Sequence, residues 1–214
     1  MARIKVLGGT GYGGAAVAAE AARRGHTVTS YSRNEPQTPV DAVKYVTGSL
    51  LDASLLADSV TDADVVFYSL SPRGDMAGKT EEIVGQLIAL ADKQGARLGV
   101  LGGVSSVLVE EGGQRLFDVH PPAPEILDEV QTGITLLEKL QDAPESLDWF
   151  YVSPAMSFGV WAPAPETGSY RINDGVLLTD DKGESNISAA DLAVAVLDEI
   201  EKPQFTRRRF HVAH

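Results

Sequence analysis

Five glycines crowd into seven residues, Gly8-Gly9-Thr10-Gly11-Tyr12-Gly13-Gly14. The run follows the short apolar stretch Arg3–Leu7 and leads into an alanine-rich one, so it joins a strand to a helix. In that context a glycine turn cradles a pyrophosphate. The chain must turn tightly, bare backbone must let the anion approach, and the helix must pack on the strand with no Cβ between them. The start of the helix then offers free N–H groups and a positive dipole end. Two registers fit, Gly9-Gly11-Gly14 and Gly8-Gly11-Gly14. The candidate contacts to a dinucleotide are Gly8, Thr10, Gly11, Tyr12, Gly13 and Gly14.

The next informative position is the end of the second strand. An acid there would hold the ribose 2′-hydroxyl of NAD, but the chain reads Ser30-Tyr31-Ser32-Arg33-Asn34, with no acid before Glu35. Arg33 suits a 2′-phosphate and Ser32 can donate to it, so NADP is expected ahead of NAD.

The elements that position these residues follow from periodicity. After the first strand comes a helix over residues 14–24, rich in the best helix former and stopped by Gly25. Strands are expected over 26–32, 42–46, 64–70 and 97–101. Asp52 caps a helix over 53–59, and Ile83, Leu87, Ile88, Leu90 and Ala91 mark one face of a helix closed by Gly95. Alternation of this kind implies parallel pairing through right-handed crossovers. Further on, Pro121, Pro122 and Pro124 precede a helix over 125–141, a sixth strand covers 147–153, Ser188 caps a helix over 189–200, and 209–213 closes the chain as a strand. The expected fold is α/β, a Rossmann doubly wound parallel sheet with helices on both faces. It forms one domain over 1–214, with residues 155–187 a small insertion on the substrate side bearing a hairpin of 169–172 against 175–178.

Composition narrows the chemistry. The chain has 214 residues, 43% of them hydrophobic, enough for a sizeable core. Its 18 basic and 30 acidic residues leave a net charge of −12, which disfavours phosphate backbones and hence nucleic acid as a partner. With no cysteine there is no disulfide, thiolate nucleophile or Cys-ligated metal. No apolar run reaches the ~18–20 residues of a membrane span, and the glycines arrive too soon for a signal-peptide core, so a cytoplasmic protein is expected.

The Gly8 to Gly14 run with Arg33 resembles the atypical short-chain dehydrogenase/reductase superfamily, in its NAD(P)H-binding, NmrA-like branch. Later segments carry the same resemblance: Gly102-Gly103-Val104-Ser105-Ser106, Asp148-Trp149-Phe150-Tyr151-Val152-Ser153-Pro154 and Ile187-Ser188-Ala189-Ala190-Asp191-Leu192-Ala193. Gly168-Ser169-Tyr170-Arg171 and Arg208-Arg209-Phe210 are similar to a group of small bacterial proteins described as NADH-flavin reductases. The resemblance implies that Gly48, Ser49 and Leu50 lie toward the adenine. It also places Ser69, Leu70, Ser71, Pro154 and Ala155 beside the nicotinamide, and Ser106 at the usual serine. Pro72, Arg73 and Met156 would complete the acceptor's walls. The chain departs from the superfamily's Tyr-x-x-x-Lys, whose two positions fall on Leu127 and Gln131, neither a general acid. The third-strand loop reads Gly48-Ser49-Leu50 in place of the usual Gly-Asp.

Loss of that tyrosine argues against carbonyl reduction and is compatible with hydride transfer to a flavin or quinone, whose conjugated ring stabilises its own anion. The candidate catalytic residues are Ser106, by hydrogen bonding, and His120, as a proton donor before Pro121. Ser105 and Ser106 lack the setting of a nucleophile. His26 is structural, and His211 and His214 have no metal-ligand spacing, so no metal is expected. Trp149 belongs to the core and Trp161 to the pocket rim, while Arg207-Arg208-Arg209 pairs with acidic neighbours. The expected function is NAD(P)H-dependent reduction of a small flavin, quinone or similar acceptor by a monomer or homodimer. The alternative is a non-catalytic NADP(H)-binding redox sensor.

Overall fold

In the computed structural model, which describes residues 1–214, short strands of alternating or wholly apolar pattern are separated by amphipathic helices. The strands are β1 (Arg3–Leu7), β2 (Thr27–Ser32), β3 (Val43–Thr47), β4 (Val65–Tyr68), β5 (Arg97–Leu101), β6 (Trp149–Ser153), β7 (Arg171–Asn173) and β8 (Arg208–Ala213). The helices are α1 (Tyr12–Arg23), α2 (Ala53–Asp58), α3 (Thr80–Gln94), α4 (Leu116–Val119), α5 (Leu127–Gln141) and α6 (Ala189–Glu201). One sheet holds all eight strands in the order β3-β2-β1-β4-β5-β6-β8-β7. Every pairing is parallel except β7 with β8. The order reverses beside β1, which places a crevice at the carboxyl ends of β1 and β4.

Side-chain alternation divides the core into two layers. Leu7, Val66, Tyr68, Leu98, Val100, Trp149 and Tyr151 face α2, α3 and α5. Ile4, Val6, Val65, Phe67, Phe150, Val152 and Phe210 face α1 and α6. Strands β1, β2, β4 and β6 feed both layers, as a sheet covered on both faces requires. Capping follows the sequence. Asp52 accepts from the amides of Ser54 and Leu55 to start α2, Ser188 accepts from Asp191 N–H to start α6, and Gly95 stops α3 at φ 67°. No helix is long and apolar enough to cross a membrane.

Some expected boundaries move. Helix α1 begins at Tyr12, because Gly11 already takes the extended conformation of a cap (φ −80°, ψ 171°). A 3₁₀ turn at Pro124–Ile126 precedes α5. The expected hairpin between 169–172 and 175–178 does not form. Strand β7 pairs instead with the closing strand, Ile172 opposite Val212, and Val176 bridges Leu108. Asn173 explains the break: its side chain accepts from the amides of Gly175 and Val176, turning the chain away from β7.

Two buried polar groups hold the α6 layer. Arg97, 8% exposed, donates to Glu199, 2% exposed, at 2.5 Å and lies 4.6 Å from the Phe150 ring centroid. Glu199 also accepts from the amides of Gln204 and Phe205. His211 is fully buried on β8 and donates through Nδ1 to Ser153 O at 2.9 Å, and burial pushes its imidazole down to about 4.

Two outcomes follow for stability. Glu199→Ala leaves a buried guanidinium short of its partner and lowers stability by about 3 kcal/mol in urea unfolding. His211 is neutral when folded and titrates near 6.5 when unfolded, so its contribution is intact above that pH and is lost as pH falls toward 4. The loss amounts to about 3 kcal/mol. The lowered carboxylates Glu20, Asp191 and Glu201 act mostly below this window. Unfolding free energies measured from pH 7 to 4 decline accordingly, and His211→Gln flattens the decline.

Candidate functional site

At the carboxyl ends of β1, β4, β5 and β6 lies a cleft of about 720 Å³. Its floor at one end is the glycine turn. Gly8 sits at φ +89°, where an L side chain is strained, and a Cβ there would meet Ser69 O at 2.9 Å. A Cβ on Gly14 would overlap the Gly8 carbonyl and Ser69 Oγ. Gly11 N–H donates to Gly8 O at 2.9 Å, and no side chain caps the helix that follows. The first amides of α1 are therefore free of intrahelical partners and open to an anion. Gly9 instead faces Ser30 on β2. Of the two expected registers, Gly8 and Gly11 lie on the cleft surface, whereas Gly9 does not. The close helix–strand approach that these glycines permit, the bare backbone of Gly8 and Gly11 on the cleft surface and the free amides of α1 fit a dinucleotide pyrophosphate.

The cleft brings together Gly8, Thr10, Gly11, Tyr12, Gly13, Ser32, Arg33, Ser69, Leu70, Ser71, Ser106, Pro154 and Ala155. Gly14 lies behind this surface as a packing contact. At one end, Arg33 pairs with Asp75 at 2.7 Å, both largely exposed. Ser32 is buried and donates to Asn34 O at 3.3 Å. The turn Gly48-Ser49-Leu50 hydrogen-bonds to the end of β2, Gly48 N–H to Ser32 O at 2.9 Å, but none of the three lines the cleft. Leu50 is buried in the core, and Ser49 accepts from Leu51 N–H, so neither side chain is directed to a ligand.

At the other end the walls are apolar. Ile126, Val130 and Ile134 come from α5 and the turn before it, Met156, Phe158 and Trp161 from the segment after β6. Phe158 packs on Tyr12 with ring centroids 5.1 Å apart. The positions expected for the superfamily's tyrosine and lysine, Leu127 and Gln131, are exposed and outside the cleft. The α5 residues that line the cleft are Glu129, Val130, Thr132, Gly133, Ile134 and Leu136. None is a tyrosine or lysine. His120 is also exposed and outside the cleft: Pro122 takes the lining position and leaves the histidine at the solvent end of α4.

Ser106 is buried and held from behind. Arg209 donates to its Oγ at 3.1 Å and to its carbonyl, so the expected salt-bridging role for Arg209 gives way to an internal one. Arg207 likewise binds the carbonyls of Ala143, Pro144 and Leu147, whereas Arg208 pairs with Asp174 as expected. Tyr151 sets the height of the floor. Its hydroxyl donates to Gly133 O at 2.8 Å and accepts from Gly103 N–H at 3.0 Å. Burial pushes this phenol up to about 12, so it stays protonated as that donor. Gly102 carries no Cβ because the Tyr151 ring fills the space. Asp75, Glu129, Phe158 and Arg209 were not distinguishable as site residues from spacing. Only the glycines at 102 and 103 signalled a close approach nearby.

Against known proteins, residues 8–203 match the model of an NAD(P)H-binding family. The uncharacterized protein YwnB of Bacillus subtilis is 32% identical over 98% of this chain and 97% of its own length. A Streptococcus pneumoniae protein provisionally named an NADH-flavin reductase is 27% identical, with a TM-score of 0.83 and full coverage of both chains. A short-chain dehydrogenase/reductase from Veillonella parvula, solved in complex with NADP, is 17% identical with a TM-score of 0.73 over 100% of this chain and 94% of that one. That last likeness is one of fold.

Tyr151→Phe strands a buried amide and carbonyl together. It lowers stability by about 1–3 kcal/mol in urea unfolding, with the loss concentrated where β5, β6 and α5 meet, as amide exchange at Gly103 reports.

Proposed function

The chain belongs to the NAD(P)H-binding family, within the atypical short-chain dehydrogenase/reductase group, and from that premise we propose that it is a cytoplasmic NADPH-dependent reductase of a small conjugated acceptor. The observation that carries this reading is the two-ended cleft. One end offers bare backbone and Arg33, and the other is apolar, with no tyrosine or lysine among the α5 residues that line it.

In this reading the free amides at the start of α1 hold the pyrophosphate, and Ser32 with Arg33 holds the 2′-phosphate. Arg33 must then exchange its contact with Asp75 for the phosphate. When bound, the nucleotide would supply a hydride, two electrons with one proton, to the acceptor ring, the second proton coming from water. The chain's own residues position and exclude. Ser106, fixed by Arg209, offers a hydroxyl toward the nicotinamide or the acceptor. Tyr151 fixes the Gly102-Gly103 backbone beside it, and Ile134, Met156 and Phe158 keep bulk water from the apolar end. Holding two rings in contact is where most of the acceleration arises, since a flavin or quinone needs no dedicated protein acid.

The test is NADPH mixed with riboflavin, FMN or a quinone, followed at the nicotinamide absorbance band. Steady oxidation above the protein-free rate is expected. Nucleotide binding with no turnover on any acceptor overturns the reductase reading in favour of a redox sensor. For the cofactor end, Arg33→Ala weakens NADPH binding by about 10- to 100-fold and NADH binding by less than about 3-fold, measured by calorimetry. Equal losses remove the 2′-phosphate role.

A further inference from the structure

The charge of the cleft says more about the acceptor than its shape does. Among all the lining residues only Arg33, Arg73 and Glu129 carry charge. Arg33 stands at the end of β2, away from the apolar half, and is already paired with Asp75. Arg73 follows β4 and is the one cation that lines the apolar half, Arg209 lying behind Ser106, and its Nε pairs with Glu129 Oε2 at 2.5 Å across the cleft. A cation neutralised in this way has no net charge to offer a second anion. The turn that supplies Ile126 also carries Glu125, and α5, which supplies Glu129, also carries Asp128. The chain as a whole stands at −12, and a bound dinucleotide phosphate adds to that.

The rim of this half is built for a flat apolar surface. Gly159 and Ala162 close a turn, Ala162 N–H to Gly159 O at 3.0 Å, which lifts Val160 and Trp161 to its tip. Trp161 is 66% exposed, and its indole lies over Gly159, where a Cβ would meet its nitrogen at 2.6 Å. An exposed indole held at a pocket mouth is a platform for a ring.

Resting on the reductase reading, we propose that the acceptor is an uncharged conjugated ring, a quinone or an unphosphorylated flavin, and that this site discriminates against the same ring carrying a phosphate. A phosphate leaving the ring near Arg73 meets Glu129 first and finds no free donor cation. Trp161 gives affinity to any ring, and the Arg73–Glu129 pair gives the selection by charge.

Riboflavin and FMN share one ring and differ by a phosphate, so they isolate the effect. With NADPH, kcat/KM for riboflavin exceeds that for FMN by about tenfold. Independently of turnover, calorimetric titration in the presence of NADP⁺ gives riboflavin the tighter binding by a similar factor, and raised ionic strength narrows the gap. Glu129→Gln frees Arg73 and shrinks the riboflavin-to-FMN ratio by about fivefold, whereas Trp161→Ala weakens both ligands alike and leaves the ratio in place. FMN equal to or better than riboflavin in the binding titration overturns the inference, whatever the turnover. Oxidation of no acceptor overturns the reductase reading alone, and the binding ratio then still decides the charge selection.

Discussion

The contact on which this structure depends is the approach of α1 to the carboxyl ends of β1 and β4. At Gly14 the helix lies against the Gly8 carbonyl and Ser69, with no space for even one methyl group. Gly8 makes the turn possible by taking a positive φ, and Ser69 closes it by donating to Leu7 O at 2.9 Å. Because α1 is seated this closely, its first amides point over the strand ends and its apolar face meets α6 and the sheet. Fold and candidate site are thus one constraint. A side chain at Gly14 would lift the helix and open the anion cradle together.

Across the cleft, the segment after β4 plays a second organising part. Residues 71–76 extend between two walls and are tied to both, Asp75 to Arg33 beside β2 and Arg73 to Glu129 on α5. These are exposed ion pairs, worth about 0–1 kcal/mol each, so they set geometry more than stability. Gly74 and Gly78, both at positive φ, bracket the segment's tip with backbone that bends without strain. The Asp75 tie is weak enough for Arg33 to exchange it for a ligand contact, and the two ties together keep the segment near the cleft.

Much of this is legible in the amino-acid sequence. Strand and helix succession, the glycine turn and the caps at Asp52, Gly95 and Ser188 are local signals, read from neighbours in sequence. The family resemblance carried the later motifs. What escaped depended on partners far along the chain. Arg209 seemed one of three surface arginines, but β8 runs beside β6 and delivers it to Ser106, 103 residues away. The pairing of 171–173 with the closing strand is likewise non-local, and Asn173 overrode an alternation that looked like a hairpin. His120 looked close to the site by number, yet one turn of backbone at Pro121 and Pro122 exchanged its place for that of a proline. Leu127 and Gln131 missed by a helical phase of two residues, since Glu129 and Gly133 share their spacing but face the cleft.

The antiparallel β7 has a consequence for the molecule among its neighbours. An eight-stranded sheet must end somewhere, and an unpaired edge is a template on which another chain's strand can grow. Here the last strand is three residues long, and it runs against the direction of all the others. Arg171 begins it, with its guanidinium bound to the carbonyls of Thr179 and His214. A foreign strand would find a template too short to hold register, headed by a charge it must bury or displace. The terminal strand thereby makes its own edge of the sheet a poor template for a foreign strand.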